Sequence, residues 1–486
     1  MPSAPGRQEV FQGAMSQGRK GQGCHGRRRY LGFECGQGST PGSREMTTRP
    51  IDRISAEDQM SLTADTGSAP MQVGAIITLC PQPGQAPALL LDTLTRRIRA
   101  VPRLHQRLLT VPFGCGRPLW INDSGFDPAN HLDLVACPAP GGEEAVLRIA
   151  ADLLVRPLSH DRPLWAARLI TGIDAEHAAL VFVFHHVLTD GIGGLAVLET
   201  LAGVADEEDQ GEDPMSPPSP LLLAMDAAKN RVSAVVRLPA ALQRLAAGAS
   251  ELRPQSRTRL ARTSLNRPTG PRRELAVVHC KLEEIKAAAH MHGATVNDLV
   301  LTAVAAALYR LLRRRGETVE QFIISVPFSS RRQTTATHLG NQNGVMPVPV
   351  PAVGPVNRRL ATVAATTKAA KQRPRGASSA LLGPLSRFLV RVGVFRHVID
   401  HQRLVHTFVT NLRGPERPLS LSGIPIAGIV PLGAISGNVT VAFAVLSYAE
   451  TLTITVIADP ETCPDLKELG EDLKREIQAL TTIEKA

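Results

Sequence analysis

Two adjacent histidines, His185 and His186, stand in the segment of this 486-residue chain best suited to chemistry. They follow an apolar run at residues 180–184 and precede Asp190 and Gly191. A neutral imidazole has a pKa of about 6.5, so it can accept a proton at physiological pH and act as a general base. The pattern therefore predicts a proton-transfer site. The alternative is a pair of core histidines followed by an Asp-Gly turn.

The elements around the histidines decide which of them can meet a substrate. The run at 180–184 is β-branched and aromatic, which predicts a buried strand that ends at the histidines. Side chains alternate along a strand, so His185 and His186 face opposite ways and only one faces a substrate. Gly191 and the two glycines that closely follow it predict a turn, and residues 195–199 predict the next helix.

Composition narrows the class of protein. The chain is 43% hydrophobic and 20% charged, which is typical of a globular protein with room for two or three domains. A net charge of +10 favours anionic partners. Nucleic acid is disfavoured because the sequence has neither zinc-finger spacing nor an aromatic-rich basic strand. Seven scattered cysteines without a Cys-x-x-Cys pair predict reduced thiols and no metal site.

The same survey predicts where the protein resides. No apolar run reaches the ~18 residues that a membrane-spanning helix needs. The N-terminus lacks the apolar core of a signal peptide, so we expect a cytoplasmic protein, soluble or on a membrane surface. Residues 1–45 are rich in Gly, Gln, Ser and Arg. They predict a disordered basic extension, with Met46 as an alternative start. A competing hypothesis makes 27–29 the centre of a basic arm that binds an anionic surface.

Four parts follow one another along the chain. Strand and helix patterns alternate before and after a middle segment, which predicts two α/β units. The middle segment is acidic, then Pro/Ser-rich, and contains a predicted helix at 221–245 with interspersed Lys and Arg. That helix either lies on an anionic membrane or packs between domains. The predicted parts are an extension (1–45), an N-terminal subdomain (46–204), a linker (205–273) and a C-terminal subdomain (274–486).

Four further motifs are weak when taken singly. Pro163, Leu164 and Trp165 form a run that core packing alone explains. Asn297 and Asp298 stand at a predicted helix start, where capping explains them. Gly340 and Asn341 form a Gly-Asn pair, and Asn411 precedes a Gly-Pro turn. Both patterns are common in loops.

Together and in this order, the motifs resemble the bacterial wax ester synthase/diacylglycerol acyltransferase family, over about residues 51–480. The histidine motif matches in full, as do the Pro-Leu-Trp run, the Asn-Asp pair and the Gly-Asn pair. The segment 410–415 is similar to the family's Ser-Asn-Val-Pro-Gly-Pro element. Two departures are Arg413, where the family often has Pro, and Ala166, where an acidic residue is common. Residues 1–45 have no counterpart in the family.

The resemblance implies an α/β fold of two chloramphenicol-acetyltransferase-like subdomains. Each has a mixed β-sheet with helices, and an active-site channel lies between them. It implies transfer of a fatty acyl group from acyl-CoA, as co-substrate, to diacylglycerol or to a long-chain fatty alcohol. No metal or bound cofactor is implied. Lipid substrates imply contact with a membrane or lipid-droplet surface, here the inner face of the plasma membrane.

The resemblance also assigns roles within the motif. His186 is the implied general base, and His185 faces away and is structural. Asp190 turns from the substrate and pairs with an arginine, for which Arg331 is the candidate. A tetrahedral oxyanion needs preorganised donors, and Asn297 or a backbone N–H near the glycines could supply them.

Two other functions stay open on the residues alone. A condensation-type acyltransferase would use the same motif with a carrier-protein thioester, although no carrier domain is attached. A lipid-binding protein without activity could keep the fold, but it would have no need of an intact base. The sequence leaves the acceptor, the acyl chain length and the oligomeric state open.

Overall fold

The structure is a computed structural model that describes most of the chain after residue 50. The predicted extension at 1–45 lies outside the described residues, as do Arg331 and most of the predicted linker. The described residues are 51–65, 68, 70–82, 87–203, 218–236, 260, 262–329, 334–335, 339–341, 343–372, 389 and 392–482.

Strands in the described residues form two six-stranded sheets and one two-stranded pair. Both large sheets are mixed, because most neighbours are antiparallel but one pair in the first sheet and two in the second are parallel. The strands are β1 (Gln72–Leu79), β2 (Gln106–Leu109), β3 (Leu119–Asn122), β4 (Leu132–Ala136), β5 (Trp165–Thr171), β6 (Ala178–His185), β7 (Glu274–Lys281), β8 (Gln321–Ser329), β9 (Asn343–Pro351), β10 (Thr407–Arg413), β11 (Ser420–Leu421), β12 (Ile424–Leu432), β13 (Val441–Tyr448) and β14 (Thr451–Ala458).

Helices cover the faces of these sheets. Two begin with a capping box, in which a Ser or Thr and an Asp three residues later bond each other's backbone N–H. The α-helices of the described residues are α1 (Ala56–Ala64), α2 (Pro87–Ile98), α3 (Gly142–Val155), α4 (Gly191–Leu201), α5 (Pro220–Val236), α6 (Leu282–Met291), α7 (Val296–Arg314), α8 (Val356–Gln372), α9 (Phe395–Asp400) and α10 (Leu466–Thr482).

The first sheet carries the histidine motif, in the order β11–β12–β1–β6–β5–β4. Every residue of β6 is buried, as its apolar run predicts. Phe182 and Phe184 pack in the cluster that contains α2 and α4, whereas Val181 and Val183 pack against α3. Both faces of β6 are thus covered, which is why this strand is apolar throughout.

The second sheet has the order β7–β14–β13–β10–β8–β9. Its core helix is α7, whose Ala-rich sequence lets it lie close to the sheet on one side and to α10 on the other. No single helix in the described ranges is long and apolar enough to span a membrane. The pair α6 and α7 passes that test only jointly, is bent by 95°, and is largely buried in the core.

Two strands of the predicted C-terminal subdomain belong to the first sheet. Strands β11 and β12 come late in the chain, yet they complete the first sheet, because β12 pairs antiparallel with β1. Gly74 of β1 lies opposite Leu432 of β12. The residues from Ile51 to Ala486 form one compact unit. The subdomain boundaries at 204 and 274 stay predictions. The sequence did not predict that β11 and β12, from the second half of the chain, would join the sheet of the first half.

Candidate active site

An apolar cavity of about 320 Å³ lies between the two large sheets. Its walls include Phe182 and Phe184 of β6 on one side and Phe408 and Leu412 of β10 on the other. Among the described residues, the polar side chains that line it are few: His186, Ser325, Thr410 and Ser436. A pocket of this volume with few polar groups is typical of a site for an apolar ligand.

His186 follows the last residue of β6 and reaches this cavity. Its backbone N–H donates to the carbonyl of Met71 at 2.9 Å, which holds the strand end in place. The Nδ1 atom is buried and has no hydrogen-bond partner among the described residues. Nε2 is therefore the ring nitrogen that can meet a molecule in the cavity.

The electrostatics keep His186 neutral. Burial lowers its pKa below the usual 6.5, because desolvation disfavours the charged ring, and the neighbouring His185 acts in the same direction. Its own carbonyl, the charge of Asp190 and the side chain of Asn341 act in the opposite direction. The net pKa is lowered, so at pH 7 the ring carries a lone pair and can accept a proton.

His185 points the other way, as strand alternation predicts. Its Nε2 contacts Asp65 Oδ2 at 3.1 Å, and its Nδ1 accepts the N–H of Val187 at 3.0 Å. Because Nδ1 accepts, Nε2 carries the proton and donates to the carboxylate. Although burial raises the pKa of Asp65, the hydrogen bond from His185 and the N–H of Met71 hold it below its usual range. The structure places His185 in a structural pair.

Asp190 begins the helix that follows the histidines. Its side chain accepts the N–H of Gly193 at 3.0 Å and caps α4. The prediction of a glycine turn before a helix at 195 is wrong, because the three glycines form the first turn of α4 itself. A Cβ at Gly193 would lie 1.8 Å from Thr189 Oγ1, so only glycine fits there. The predicted partner Arg331 lies outside the described residues, and that pairing stays a prediction.

Family models match almost the whole described chain. Residues 54–300 match the wax ester synthase/diacylglycerol acyltransferase catalytic domain. Residues 339–481 match the C-terminal domain of the same proteins. The chain belongs to the wax ester synthase/diacylglycerol acyltransferase family. It is therefore an O-acyltransferase, as the motifs predicted.

Relatives of this O-acyltransferase support the assignment. A Mycobacterium tuberculosis H37Rv protein named "probable diacylglycerol O-acyltransferase tgs1" is 28% identical over 435 residues, which cover 85% of this chain and 92% of tgs1. A second protein of that strain, named "putative diacylglycerol O-acyltransferase", is 26% identical over 445 residues, which cover 86% of this chain and 87% of the relative.

Solved structures confirm the fold. The wax ester synthase/diacylglycerol acyltransferase of Marinobacter aquaeolei VT8 aligns with a TM-score of 0.65 at 21% identity, covering 88% of this chain and 98% of that one. The first condensation domain of the calcium-dependent antibiotic synthetase aligns with a TM-score of 0.61 at 17% identity, covering 90% of this chain and 98% of that domain. The predicted fold of two chloramphenicol-acetyltransferase-like subdomains is confirmed.

The Pro-Leu-Trp motif of this acyltransferase lies in the core and away from the cavity. The Trp165 ring is buried, stacks on Phe182 at 5.4 Å, and donates from Nε1 to the Leu104 carbonyl at 2.7 Å. Pro163 is buried, and the carbonyl of Leu164 accepts the N–H of His185 at 2.9 Å. The motif supports the histidine strand from its neighbour β5.

The Asn-Asp pair also lies outside the cavity. Asp298 forms the capping box of α7 and accepts from Thr367 Oγ1 at 2.7 Å. The amide of Asn411 contacts Asn297 Oδ1 at 3.4 Å. Thr410 and Leu412 line the cavity, so Asn411 between them points to the other face of β10. The structure does not bring Asn297 to the oxyanion position.

Two side chains at the site were not assigned roles from the sequence. Asp65, the partner of His185, belongs to none of the motifs that the sequence analysis singled out. Asn341 was recognised as part of a Gly-Asn pair, and the structure shows that its Nδ2 donates to the carbonyl of His186 at 2.6 Å. Among the described residues, no group of His, Cys, Asp or Glu side chains is arranged to hold a metal ion. The absence of a cofactor stays a prediction.

Proposed function

We propose that the protein transfers a fatty acyl group from acyl-CoA to the free hydroxyl of diacylglycerol, giving triacylglycerol and CoA, with His186 as general base. One observation supports this proposal: the imidazole of His186, whose pKa is lowered and whose Nδ1 is buried, lines an apolar cavity. The cavity suits alkyl chains, and the imidazole suits the activation of a hydroxyl.

The steps follow from the position of the ring. An alcohol is a poor nucleophile at pH 7, so Nε2 of His186 takes its proton as the oxygen attacks the thioester carbonyl. The tetrahedral intermediate then collapses, the carbon–sulfur bond breaks, and the thiolate leaves. The imidazolium returns the proton to that thiolate, which gives free CoA and a neutral ring.

The oxyanion of the intermediate needs donors close to His186. Of the two predicted sources, Asn297 does not line the cavity, so we assign this role to backbone N–H groups in the first turn of α4. Gly191 lies in that turn and lines the cavity beside His186. The partial positive charge of a helix N-terminus favours a negative oxygen there.

Diacylglycerol is the acceptor favoured by the relatives, because tgs1 and the second mycobacterial protein carry the name of a diacylglycerol acyltransferase. Long-chain alcohol is the alternative, since the matching family model covers wax ester synthases as well. With palmitoyl-CoA and equimolar dioleoylglycerol and hexadecanol, we expect triacylglycerol to exceed wax ester on thin-layer chromatography. A predominance of wax ester would reverse the acceptor assignment. Transfer from an acyl-carrier protein but not from acyl-CoA would refute acyl-CoA as the acyl donor.

The enzyme is further proposed to work at the inner surface of the plasma membrane or at a lipid droplet. The outer face of α5 exposes Leu221, Met225 and Val232 by 71%, 61% and 65%. The neighbouring loop exposes Phe113 by 87%, and Arg231 ties that loop to α5 through the Gly114 carbonyl at 2.6 Å. An exposed apolar stripe with cations beside it is typical of a helix that lies in a lipid interface.

Vesicle sedimentation tests this surface. Replacing Leu221, Met225 and Val232 together with serine is expected to lower binding to phosphatidylglycerol-containing vesicles by about tenfold or more, because apolar area no longer enters the lipid. Leu89→Ser is the matched control, since Leu89 is 58% exposed on a different helix. Equal binding of the triple variant and the wild type would place the contact elsewhere.

A further inference from the structure

Asn341 joins the general base to a distant part of the chain. Its side chain is 4% exposed. Its backbone N–H and its Nδ2 both donate to Asp58 Oδ1, at 2.8 and 2.7 Å. The same Nδ2 donates to the carbonyl oxygen of His186 at 2.6 Å. One carboxamide thus connects a buried carboxylate to the peptide of the base.

Asp58 is itself held firmly. It lies in the first turn of α1, where its Oδ2 accepts the N–H of Ser55 at 2.8 Å and its own N–H donates to Ser55 Oγ at 2.9 Å. It is 3% exposed, so a displaced carboxylate would lose these bonds without gaining water. The backbone N–H of Ser55, which any residue at this position supplies, therefore holds the carboxylate that Asn341 contacts, whereas Ser55 Oγ bonds only the backbone of Asp58.

Two buried atoms at this junction have no hydrogen-bond partner among the described residues: Nδ1 of His186 and Oδ1 of Asn341. One is a donor in the neutral tautomer that leaves Nε2 free, and the other is an acceptor. They belong to groups already joined through the His186 carbonyl. The side chain of Asn341 raises the pKa of His186, which is the effect expected of an acceptor near the ring.

We propose that Asn341, held by Asp58, is a positioning residue for the general base: it fixes the His186 peptide and keeps the ring proton on Nδ1. The ring then presents the lone pair of Nε2 to the cavity. When the ring becomes an imidazolium during the reaction, the Asn341 carbonyl faces the added charge. This inference rests on the proposed function for its kinetic test, but its structural content is independent of the substrate.

The other groups that act on the ring are distinct from this pair. Asp190, at the start of α4, raises the pKa of His186, and His185, on β6, lowers it. Both stay in place when Asn341 is changed. The backbone carbonyl of His186 also raises the pKa of the ring, and Asn341 bonds that carbonyl. A change in the titration of His186 in such a variant therefore reports the loss of the carboxamide together with its hold on this carbonyl.

The kinetic test compares Asn341→Ala with the wild type. We expect kcat to fall on the order of ten- to a hundredfold, because misplacement of a reacting group by about 1 Å has this effect. KM should change little, since Asn341 does not line the cavity. The acid limb of the pH profile should move to lower pH, since a contact that raises the pKa is gone. Asp58→Asn should shift kcat in the same direction.

Ser55→Ala is the matched control. It removes the other half of the capping box and should destabilise the protein by a similar amount, yet it leaves the Asp58–Asn341 contacts in place. We expect its kcat to stay within twofold of the wild type. If Ser55→Ala and Asn341→Ala lose activity equally, or Asn341→Ala keeps the wild-type kcat and pH profile, the positioning role is overturned.

Nuclear magnetic resonance of histidine-labelled protein separates this inference from the proposed function. We expect the ¹⁵N shifts of His186 to show the Nδ1–H tautomer in the wild type, and mixed tautomers with a lower pKa in Asn341→Ala. Identical tautomer and titration in both proteins would overturn the inference even if acyl transfer is found. Absence of acyl transfer in the wild type would overturn the proposed function. The comparison of the two His186 spectra would still test the positioning role of Asn341.

Discussion

Replacing His186 with alanine is expected to lower kcat/KM for acyl transfer by about 10²–10⁴-fold, the range that a positioned general base contributes. The variant should keep its fold, because the strand end is held by the backbone of His186. Its N–H bonds to Met71, and its carbonyl accepts from Asn341. Radiolabelled palmitoyl-CoA with dioleoylglycerol measures the activity, and circular dichroism measures the fold.

A second histidine provides the matched control. His279 lies on β7 outside the cavity, and its side chain is 48% exposed beside Glu143. His279→Ala should keep wild-type turnover. Undiminished activity in His186→Ala, or an equal loss in both variants, would contradict the assignment of the base.

Trp165→Ala is expected to lower the free energy of unfolding by about 3–5 kcal/mol, the usual effect of removing a fully buried large aromatic side chain. The ring is 1% exposed and stacks between Phe182 and His131, at 5.4 and 4.6 Å. A urea titration followed by circular dichroism measures the change. Activity per folded molecule should change far less, because the ring does not line the cavity.

Trp165→Phe separates packing from the hydrogen bond to Leu104. It keeps an aromatic ring in the stack and loses only part of the buried area and the Nε1 bond, so we expect a loss of about 1–2 kcal/mol. If Trp165→Ala abolished acyl transfer at unchanged stability, the Pro-Leu-Trp motif would act on the substrate and the structural assignment would be wrong.

The sequence predicted the histidine strand and its consequences well. A short apolar run rich in β-branched and aromatic residues favours a buried strand over a helix, and the opposite directions of His185 and His186 then follow from alternation. The helix start at Asn297 and Asp298 was equally clear, because helix capping is local in sequence, and Asp298 does form a capping box.

Contacts between distant segments were not predictable in this way. The pairing of β12 with β1 depends on packing across more than half of the chain, and neither strand carries a local sign of its partner. Asp58 and Asn341 are separated by 283 residues, so their contact with the base appears only in the fold. The turn predicted from the glycines after Asp190 was wrong for a different reason. Glycine is typical of turns, but here the close approach of Thr189 to Gly193 requires glycine inside a helix.

The pH dependence of kcat/KM tests the central claim most directly, since it reports the ionisation of the base in the free enzyme. Only the neutral ring of His186 can accept the proton, and burial lowers its pKa from 6.5. Activity should therefore be constant near pH 7 and fall as the pH drops through a value below 6.5. An acid limb centred above that value would contradict a buried, neutral His186 as the base.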